Sequence, residues 1–444
     1  YPMAGPFSAN GVYWWEVGSQ MSAKERKRKE KERRERSRRL RLGLVVLVFI
    51  GAAGGLWQWQ QQQDEDALVE ALRKGDALMA QGLIDQAASH YHRATQLDQA
   101  RVEAWTKLAS TDAAQGRYGE SIPRYERALA LAPDHFEARI GLAIGRDGLG
   151  DFLGAERNYK EAIRLRPNFA EIYYNLAYLY QQHKLYTDAS AHYEKALELK
   201  PSFIQAWANL GRVRALLHDP GGAVEAYKKA LALHSNEGPV YVRLGASYMS
   251  LSQYELAKEA YHKAIDLGQE RWSVLHDLGI ISEQEGQLKT AHNYFHQALL
   301  KNASQSESYF RLGAVTAKLG DEAQAVKHYQ EAIELDPDHA GAHYGLAQIF
   351  LAQGRSEDGE RLIQAFAGIK EYEGRKKALL RAVEASPRDP KLAYDLALFH
   401  LEFGRVHKAA EVLEGVLKID PNFDAAKRRL EEILRVRSER KNEG

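Results

Sequence analysis

The chain of 444 residues contains no cysteine. This absence excludes disulfide bonds, thiolate metal sites and thiol catalysis, and it says nothing about the redox compartment. The sequence also lacks the G-x-S-x-G, P-loop, H-E-x-x-H and dinucleotide-binding motifs that mark common enzyme classes. We therefore expect a protein that is not an enzyme and that needs no cofactor.

An excess of one charge is confined to a single segment. The formal net charge of the chain is +1, yet residues 24–41 carry 12 Lys and Arg against 4 Asp and Glu. The rest of the chain is therefore net acidic, which makes it a poor match for nucleic acid. The basic segment itself has two interpretations, contact with nucleic-acid phosphates or contact with anionic lipid head groups.

Long apolar runs are absent with one exception, which directly follows the basic segment. Residues 42–59 contain no charged side chain. As a helix they would be about 27 Å long, close to the hydrocarbon thickness of about 30 Å of a bilayer. Arg41 at one end, and Trp57 and Trp59 at the other, suit the two membrane interfaces. We predict a single transmembrane helix at residues 42–59.

The flanks of this segment predict its orientation. Positive charge before the span places the amino terminus in the cytoplasm, so the repeats described below lie outside, in the periplasm if the inner membrane is that of a Gram-negative bacterium. A cleaved signal peptide is the alternative, because small residues end the run. The long charged segment and the two tryptophans favour a retained anchor. Gly51 and Gly55 form a G-x-x-x-G pattern that could pair two anchors into a weak homodimer.

The remaining amino-terminal residues divide into short segments. Residues 1–20 match nothing that follows, and we interpret them as an upstream extension or a cloning remnant, because Met21 begins a more ordinary amino terminus. Residues 21–41 form a basic cytoplasmic tail. Residues 60–67 are predicted to be a polar linker.

A repeating unit of about 34 residues fills residues 102–339 as seven copies without gaps. One position of every copy holds alanine: Ala128, Ala162, Ala196, Ala230, Ala264, Ala298 and Ala332. Three residues before it stands an aromatic ring: Tyr125, Tyr159, Tyr193, Tyr227, Tyr261, Phe295 and Tyr329. Near the start of each copy stands leucine: Leu108, Leu142, Leu176, Leu210, Leu244, Leu278 and Leu312.

This pattern resembles the tetratricopeptide-repeat family, whose repeats read W-x2-L-G-x2-Y, then A-x3-F, then P. The leucine and ring columns are bracketed by small or apolar residues three and four positions away, so each copy predicts two short amphipathic helices. Neither helix alone can bury its apolar face. The predicted fold class is therefore all-α, a right-handed superhelical solenoid of about ten helix-turn-helix repeats that follows one transmembrane helix.

Proline and glycine predict where the helices end. Prolines that stop the second helix of a repeat are Pro133, Pro167, Pro201 and Pro337. Glycines in the turn inside a repeat are Gly82, Gly116, Gly150, Gly286 and Gly320.

The repeating unit also predicts the domain limits. Residues 68–339 contain eight repeats, of which the first, 68–101, is the weakest. Residues 340–423 contain two further repeats and an excess of about 16 residues over two family units, which we predict to be an additional helix within 356–389. Residues 424–444 form a capping helix and a tail, because terminal repeats need a polar outer face.

In this family the first helix of each repeat lines a concave face. The resemblance implies that a peptide-binding groove here is formed by Tyr174, Asn175, Tyr178, Asn209, Arg212, Arg243, Met249, His276, Asp277, Phe310, Arg311 and Tyr344.

Two known modes of recognition are only partly matched by these residues. Asn175 and Asn209 resemble the asparagine ladder by which some members hold an extended backbone, since an amide both donates and accepts. A carboxylate clamp needs Lys and Asn at fixed positions of adjacent repeats. Arg212 and Arg243 approach that chemistry but do not have that pattern, and a merely solvated inner face is the alternative.

A metal site has little support. His292 and His296 stand four residues apart, as two ligands on one helix face would. They flank Phe295 of the ring column, so we predict that they lie on the outer side of a second helix and that there is no metal site.

The expected function is that of a membrane-anchored scaffold or adaptor that binds extended or helical segments of partner proteins, with no nucleic acid and no small-molecule substrate. Resemblance to bacterial relatives implies envelope assembly, secretion or polysaccharide export. One alternative is the substrate-recognition subunit of a separately encoded enzyme, such as a glycosyltransferase or protease. Another is self-assembly through the repeat ends, against which the polar helix at 424–437 argues.

Overall fold

The structure, a computed structural model, describes residues 23–387 and 389–442, without the side chains of residues 23–26, 35, 37–50 and 436–442. Throughout these residues the regular elements are α-helices and there is no strand, which confirms the predicted all-α class. The predicted extension at residues 1–20 lies outside the described residues. The right-handed superhelix stays a prediction.

The chain divides into two compact units, and each is described by itself. The first unit ends at Leu185 and the second begins at Tyr186. The helices of the first unit are α1 (Ala23–Ala80), α2 (Ile84–Leu97), α3 (Val102–Ala114), α4 (Tyr118–Leu131), α5 (Phe136–Gly148), α6 (Phe152–Leu165) and α7 (Ala170–Gln182). Helices α1 to α6 pair as antiparallel neighbours in chain order, and each pair packs on the next.

The second unit repeats the same arrangement. Its helices are α8 (Tyr186–Leu199), α9 (Ile204–Leu216), α10 (Pro220–Leu233), α11 (Gly238–Ser250), α12 (Tyr254–Asp266), α13 (Trp272–Gln284), α14 (Leu288–Lys301), α15 (Ser306–Lys318), α16 (Glu322–Leu335), α17 (Ala340–Ala352), α18 (Ser356–Ala385), α19 (Pro390–Glu402), α20 (Val406–Ile419) and α21 (Asp424–Asn442). The first helices α9, α11, α13, α15 and α17 begin at evenly spaced positions, so the period read from the sequence is the period of the fold.

Helix α1 is much longer than its neighbours. It runs for 58 residues without a break, and only its carboxyl-terminal part packs against α2. The residues predicted as a linker, 60–67, are helical instead. Their amide side chains support the helix: Gln60 donates to Asp64 at 3.1 Å and Gln62 donates to Asp66 at 3.0 Å. No glycine or proline interrupts them.

The predicted membrane span lies in the amino-terminal part of α1. In the part of the chain that the structure describes, no helix is both long and apolar enough to span a bilayer. The predicted span at 42–59 includes residues 42–50, and Arg41 precedes them; the side chains of all of these lie outside the described ones. From Gly51 to Trp59 the side chains are exposed.

The aromatic and alanine columns form the cores of both units, as predicted. In the first unit, Tyr125 is 3% exposed and Ala128 is fully buried. In the second unit, Tyr227, Tyr261 and Phe295 are each at most 1% exposed. Alanine is required beside these rings because a larger side chain would overpack the place where two helices approach.

The turns within the helix pairs adopt the left-handed conformation that the glycines indicate. The predicted turn glycines all have positive φ angles, for example 73° at Gly116 and 74° at Gly286. Three consecutive turns have other residues in this position, namely Lys184, His218 and Ser252, with φ angles of 60°, 60° and 56°. This conformation costs a residue with a side chain about 1–2 kcal/mol. Backbone strain of this kind often marks functional sites.

Another column of residues fixes the start of the first helices. Its members include Tyr173, Trp207, Tyr241, Tyr309 and His343, which recur at the period of the repeat or a multiple of it. Three of them also bond a carbonyl six positions earlier: Tyr173 to Pro167 (3.0 Å), Trp207 to Pro201 (2.8 Å) and His343 to Pro337 (2.9 Å). The predicted prolines are therefore more than stops, because their carbonyl groups anchor the next helix.

The insertion does not form a helix of its own. Helix α18 runs unbroken for 30 residues, so the extra residues lengthen a second helix instead of adding a separate one. The sequence contains no proline between residues 356 and 385 that would end the helix earlier. The segment predicted as a capping helix is helical as α21, which extends to Asn442, and its apolar side packs on α20 through Ala426 and Ile433.

Candidate functional site

The groove residues of the first unit lie on one helix, α7. Tyr178 is 38% exposed and accepts a hydrogen bond from Gln182 at 2.6 Å. Tyr174 and Asn175 are half-buried. The predicted ladder of Asn175 with Asn209 involves both units and stays a prediction.

In the second unit, four of the predicted groove residues prove to be packing residues or ion-paired. His276 is only 9% exposed, and its Nδ1 atom lies 2.8 Å from the hydroxyl oxygen of Ser308. Met249 packs against the core cluster around Tyr261. Phe310 contacts the ring of Tyr329 and covers Gly341.

The fourth residue, Arg311, is held by two carboxylates. Its Nε atom donates to Glu307 at 2.8 Å, and its Nη1 atom lies 3.5 Å from Glu283. Burial raises the pKa of Glu307, but the hydrogen bonds from His339 and Arg311 outweigh it and bring that pKa to about 2. The carboxylate is therefore charged at neutral pH, and Arg311 already has its partner. His276, Met249, Phe310 and Arg311 therefore make contacts within the repeats, and their place in a peptide-binding groove stays a prediction.

Tyr344 remains exposed at 46%, although one side of its ring packs on Phe366 of α18 at a centroid distance of 5.2 Å. Phe366 stands where the preceding repeats have alanine. The larger side chain explains why this second helix fits the repeat columns poorly.

The structure brings together two of the predicted residues, Arg212 and Arg243. They line an open cavity of about 370 Å³ between α9, α10 and α11. Tyr227 of the ring column forms part of its wall, and His218, one of the turn residues with positive φ, forms another part. Apolar side chains form most of the remaining lining, including Leu216, which is 47% exposed, and two serines, Ser247 and Ser250, complete it. Pockets of this kind, apolar with a few fixed polar groups, are typical of binding sites.

The two arginines give this cavity positive charge without a compensating carboxylate among the described residues. Within the described chain, neither Arg212 nor Arg243 pairs with a carboxylate, and the buried Nε atom of Arg212 has no hydrogen-bond partner. Burial raises the pKa of Tyr227 to about 12, although the charges of Arg243 and Arg212 act in the opposite direction. Both guanidinium groups therefore lie near the phenol. We define this set, Arg212, Arg243 and Tyr227, as the arginine cavity.

Sequence reasoning found the two arginines but missed their tyrosine. The sequence predicts that Tyr227 is only a core residue, because it belongs to the ring column. A signal was present, since Arg212 stands 15 positions before this ring and Arg243 stands 16 positions after it. At the same spacings, the hydroxyl group of Tyr91 donates to Asp76, 15 positions earlier, and that of Tyr261 donates to Asp277, 16 positions later. These two positions thus flank the hydroxyl group of a ring in both units.

Asp277 occupies one of these flanking positions, and the surroundings change the pKa of its carboxyl group. Its Oδ2 atom accepts a hydrogen bond of 2.5 Å from the hydroxyl group of Tyr261. Burial raises the pKa of Asp277, and this hydrogen bond opposes the rise without cancelling it. Among the predicted groove positions, this one is therefore filled by a structural carboxylate.

The raised pKa of Asp277 predicts a pH dependence of stability. Because the folded state holds the proton more tightly than the unfolded state, the contribution of this group falls as the pH rises above its unfolded value of about 4. We expect Asp277→Asn, which keeps an acceptor for Tyr261, to be more stable than the wild type at pH 7. Denaturant midpoints at pH 3 and pH 7 measure this, and an advantage of the variant that does not shrink at pH 3 would contradict the assignment.

The described residues do not include a metal site. No group of three or more His, Asp or Glu side chains among them could hold a metal ion. His292 and His296 lie on α14, where His296 is exposed and His292 is half-buried. Burial, as the larger cause, and the charges of these two histidines lower the pKa of His328 on α16.

The geometry defines a class first: hairpins of two helices of 13 and 14 residues, stacked at a regular period, make an α-helical repeat protein. Comparison with family models agrees. Tetratricopeptide-repeat models match residues 72–135 and 106–144, 149–184, 170–203, 238–268 and 370–441. The model of the middle TPR-like domain of cilia and flagella-associated protein 70 matches residues 275–380. Together these matches support assignment of the chain to the tetratricopeptide-repeat family.

Solved structures that resemble the chain include other repeat proteins. PilF of Pseudomonas aeruginosa is 20% identical, with 50% of this chain and 98% of that chain covered and a TM-score of 0.42. YrrB, described as a TPR protein with an unusual peptide-binding site, is 26% identical, with 41% and 95% covered and a TM-score of 0.38. Yeast Tom70 is 15% identical, with 85% and 97% covered and a TM-score of 0.34. Among curated proteins, none matches the chain significantly.

Proposed function

We propose that the chain is a membrane-anchored, non-enzymatic scaffold that binds segments of partner proteins at the arginine cavity. One observation carries the proposal: an open cavity contains two guanidinium groups that pair with no carboxylate of the described chain. The fold does not require arginine at these two positions, because the next repeat has Ala246 and the hydrogen-bonded Asp277 there. Arg243 is exposed and Arg212 is half-buried, so a partner segment with acceptor groups can reach both guanidinium groups.

The surroundings of the cavity suit a peptide better than a small molecule. The cavity is open to solvent, and Leu216 presents apolar surface beside it. First helices of successive repeats lie side by side, so a segment that enters the cavity can continue along α11 or α9. Repeat proteins commonly use such extended surfaces to bind other proteins.

The membrane anchor belongs to the proposal through the sequence. The uncharged segment 42–59 follows a basic segment, and this order predicts a cytoplasmic amino terminus with the repeats on the opposite side of a bacterial inner membrane. Leu56, Trp57 and Trp59 are 67%, 62% and 59% exposed, and exposed tryptophans at the end of an apolar segment suit a membrane interface. Envelope assembly, secretion or polysaccharide export is the setting that we propose for the scaffold.

Crosslinking in cells tests the scaffold and its anchor together. The full chain is compared with Arg212→Ala plus Arg243→Ala, and with a matched control, Lys228→Ala plus Lys229→Ala. The control removes two positive charges from exposed positions of α10, next to Tyr227. We expect one set of crosslinked proteins to disappear from the arginine variant and to persist in the control. Deletion of residues 42–59 should release the chain and its partners from the membrane fraction.

Two results would overturn the proposal. Identical crosslinked proteins in the arginine variant and the wild type would show that the cavity is not the binding site. A chain that stays in the membrane fraction without residues 42–59, or whose repeats resist protease added outside intact inner membranes, would contradict the anchor or its orientation.

A further inference from the structure

Another repeat of this chain shows which kind of group can bind between a ring hydroxyl and the residues that flank it. At Tyr91 in the first unit, the residue 15 positions earlier is Asp76 and the residue 16 positions later is Lys107. The tyrosine hydroxyl group donates to Asp76 Oδ1 at 2.7 Å, and the lysine ammonium group donates to the same oxygen at 2.5 Å. One carboxylate therefore accepts from both the ring and the cation of the next repeat.

The second unit shows half of this arrangement at Tyr261. Its hydroxyl group donates to Asp277, which occupies the later of the two flanking positions. The earlier position holds Ala246, and the carboxylate supplies the acceptor alone. In both units, a ring hydroxyl with an acidic flank thus donates to a carboxylate within the chain.

Tyr227 lies between two donors instead. Both flanking positions hold arginine, and a guanidinium group has five N–H donors and no acceptor. Tyr227 and the two arginines line the cavity, and none of the three bonds a carboxylate of the described chain. The place beside Tyr227 therefore lacks the carboxylate that Asp76 supplies at Tyr91, while the donors around it remain.

We propose that this place takes a carboxylate side chain, aspartate or glutamate, from a segment of the partner protein. The inference rests on the proposed function and adds the chemistry of the partner. The partner's carboxylate occupies the position of Asp76 relative to Tyr91: the hydroxyl of Tyr227 donates to it, and Arg212 and Arg243 approach from the two adjacent first helices. Hydrogen bonds between charged groups are about twice as strong as neutral ones, so this contact selects acidic segments.

The test uses the full chain, immobilised in detergent, and peptide libraries that differ at one position. Heptapeptides with a fixed central residue and random flanks are acetylated at the amino end and amidated at the carboxyl end. The central residue is Asp, Asn or phosphoserine, and a further library has central Asn and a free carboxyl end. Retained peptides are counted by mass spectrometry for the wild type, for Arg212→Ala plus Arg243→Ala, and for the control Lys228→Ala plus Lys229→Ala.

We expect the wild type to retain the Asp library about tenfold over the Asn library, which corresponds to about 1.4 kcal/mol. The preference should vanish in the arginine variant and persist in the lysine control. Equal retention of the Asp and Asn libraries overturns the inference while leaving a peptide-binding scaffold in place. Retention of no library overturns the proposed function as well. Stronger retention of the phosphoserine library, or of only the free carboxyl end, overturns the choice of a carboxylate side chain.

A second variant tests the same geometry from within the chain. Arg212→Asp places a carboxylate at the flanking position that Asp76 occupies, where Tyr227 and Arg243 can both donate to it. We expect this variant to lose the preference for the Asp library and to melt at a higher temperature than Arg212→Ala. A variant that keeps the preference, or that melts below Arg212→Ala, would show that the place does not accept a carboxylate.

Discussion

Replacing Tyr261 by alanine is expected to lower the free energy of unfolding of the second unit by about 3–5 kcal/mol. The ring is 1% exposed and packs in a cluster with Tyr227, Leu244 and Leu278. Truncation removes that apolar contact and leaves a cavity that the helix pairs cannot close without separating. It also leaves Asp277, whose carboxylate is largely withdrawn from water, without its donor. Denaturant titration followed by circular dichroism measures the loss.

Two further variants separate the causes. Tyr261→Phe keeps the ring and removes the hydroxyl group, so it should cost only about 1–3 kcal/mol. A Cβ atom at Gly245 would lie 2.5 Å from the Tyr261 ring, so Gly245→Ala should be destabilising in the wild type. In the Tyr261→Ala background the added methyl group has room, and its cost should shrink. Equal costs in both backgrounds, or a Tyr261→Ala variant within about 0.5 kcal/mol of the wild type, would contradict this packing.

The sequence predicted that Tyr261 is a core residue, because the core positions of this fold recur at the period of the repeat. Every ring of the column from Tyr125 to Tyr329 is buried, since each repeat must bury the same face against its neighbours. The turns were predicted only where glycine marks them. Lys184, His218 and Ser252 adopt the same left-handed backbone without glycine, because the hydrogen bonds that end the preceding helix impose it: in the second unit, the amide of Asp219 donates to Arg214, as that of Gln253 donates to Tyr248.

The candidate site was predictable in part for a related reason. Position in the repeat indicates which residues lie on a first helix, and this suffices for Arg212 and Arg243. Whether such a residue is open depends on neighbours from other repeats, which a pattern within one repeat does not contain. His276 is closed off by Ser308 of the next repeat, and Arg311 is neutralised by Glu283 of the preceding one. The offsets of 15 before and 16 after each ring identify the residues that flank its hydroxyl group, but they do not identify Ser308 or Glu283.

The length of the repeat that contains helix α18 did not predict how its extra residues fold. A repeat that exceeds the family's unit fits equally well with an added helix or with a lengthened one, and the amount of sequence is the same in both cases. The deciding feature is local: beyond its first turns, the segment 356–385 contains two glycines that match a helix break, Gly368 and Gly374, but no proline and no run of turn residues. The helix continues through both glycines.

Gly368→Pro is therefore expected to destabilise the second unit by about 3 kcal/mol, because proline inside a helix removes a hydrogen bond and clashes with the preceding turn. Gly368→Ala is expected to do the opposite and to stabilise by up to about 1 kcal/mol, because nothing lies within 4 Å of a Cβ atom there and alanine favours a helix. Denaturant midpoints of the two variants measure both effects.

The pair of variants distinguishes one long helix from two short ones. If residues 356–385 formed two helices with a turn near Gly368, proline would be tolerated there and alanine would bring no gain. The two variants also test the contacts that the carboxyl-terminal half of α18 makes with α19. Tyr372 is 3% exposed, stacks on Phe399 and bonds His400 at 3.0 Å, so a kink at residue 368 shifts the helix that positions α19. Loss of protection of α19 amides from hydrogen exchange in Gly368→Pro, with retention in Gly368→Ala, would locate the damage in this contact, whereas unchanged protection in both would mean that α18 does not hold α19.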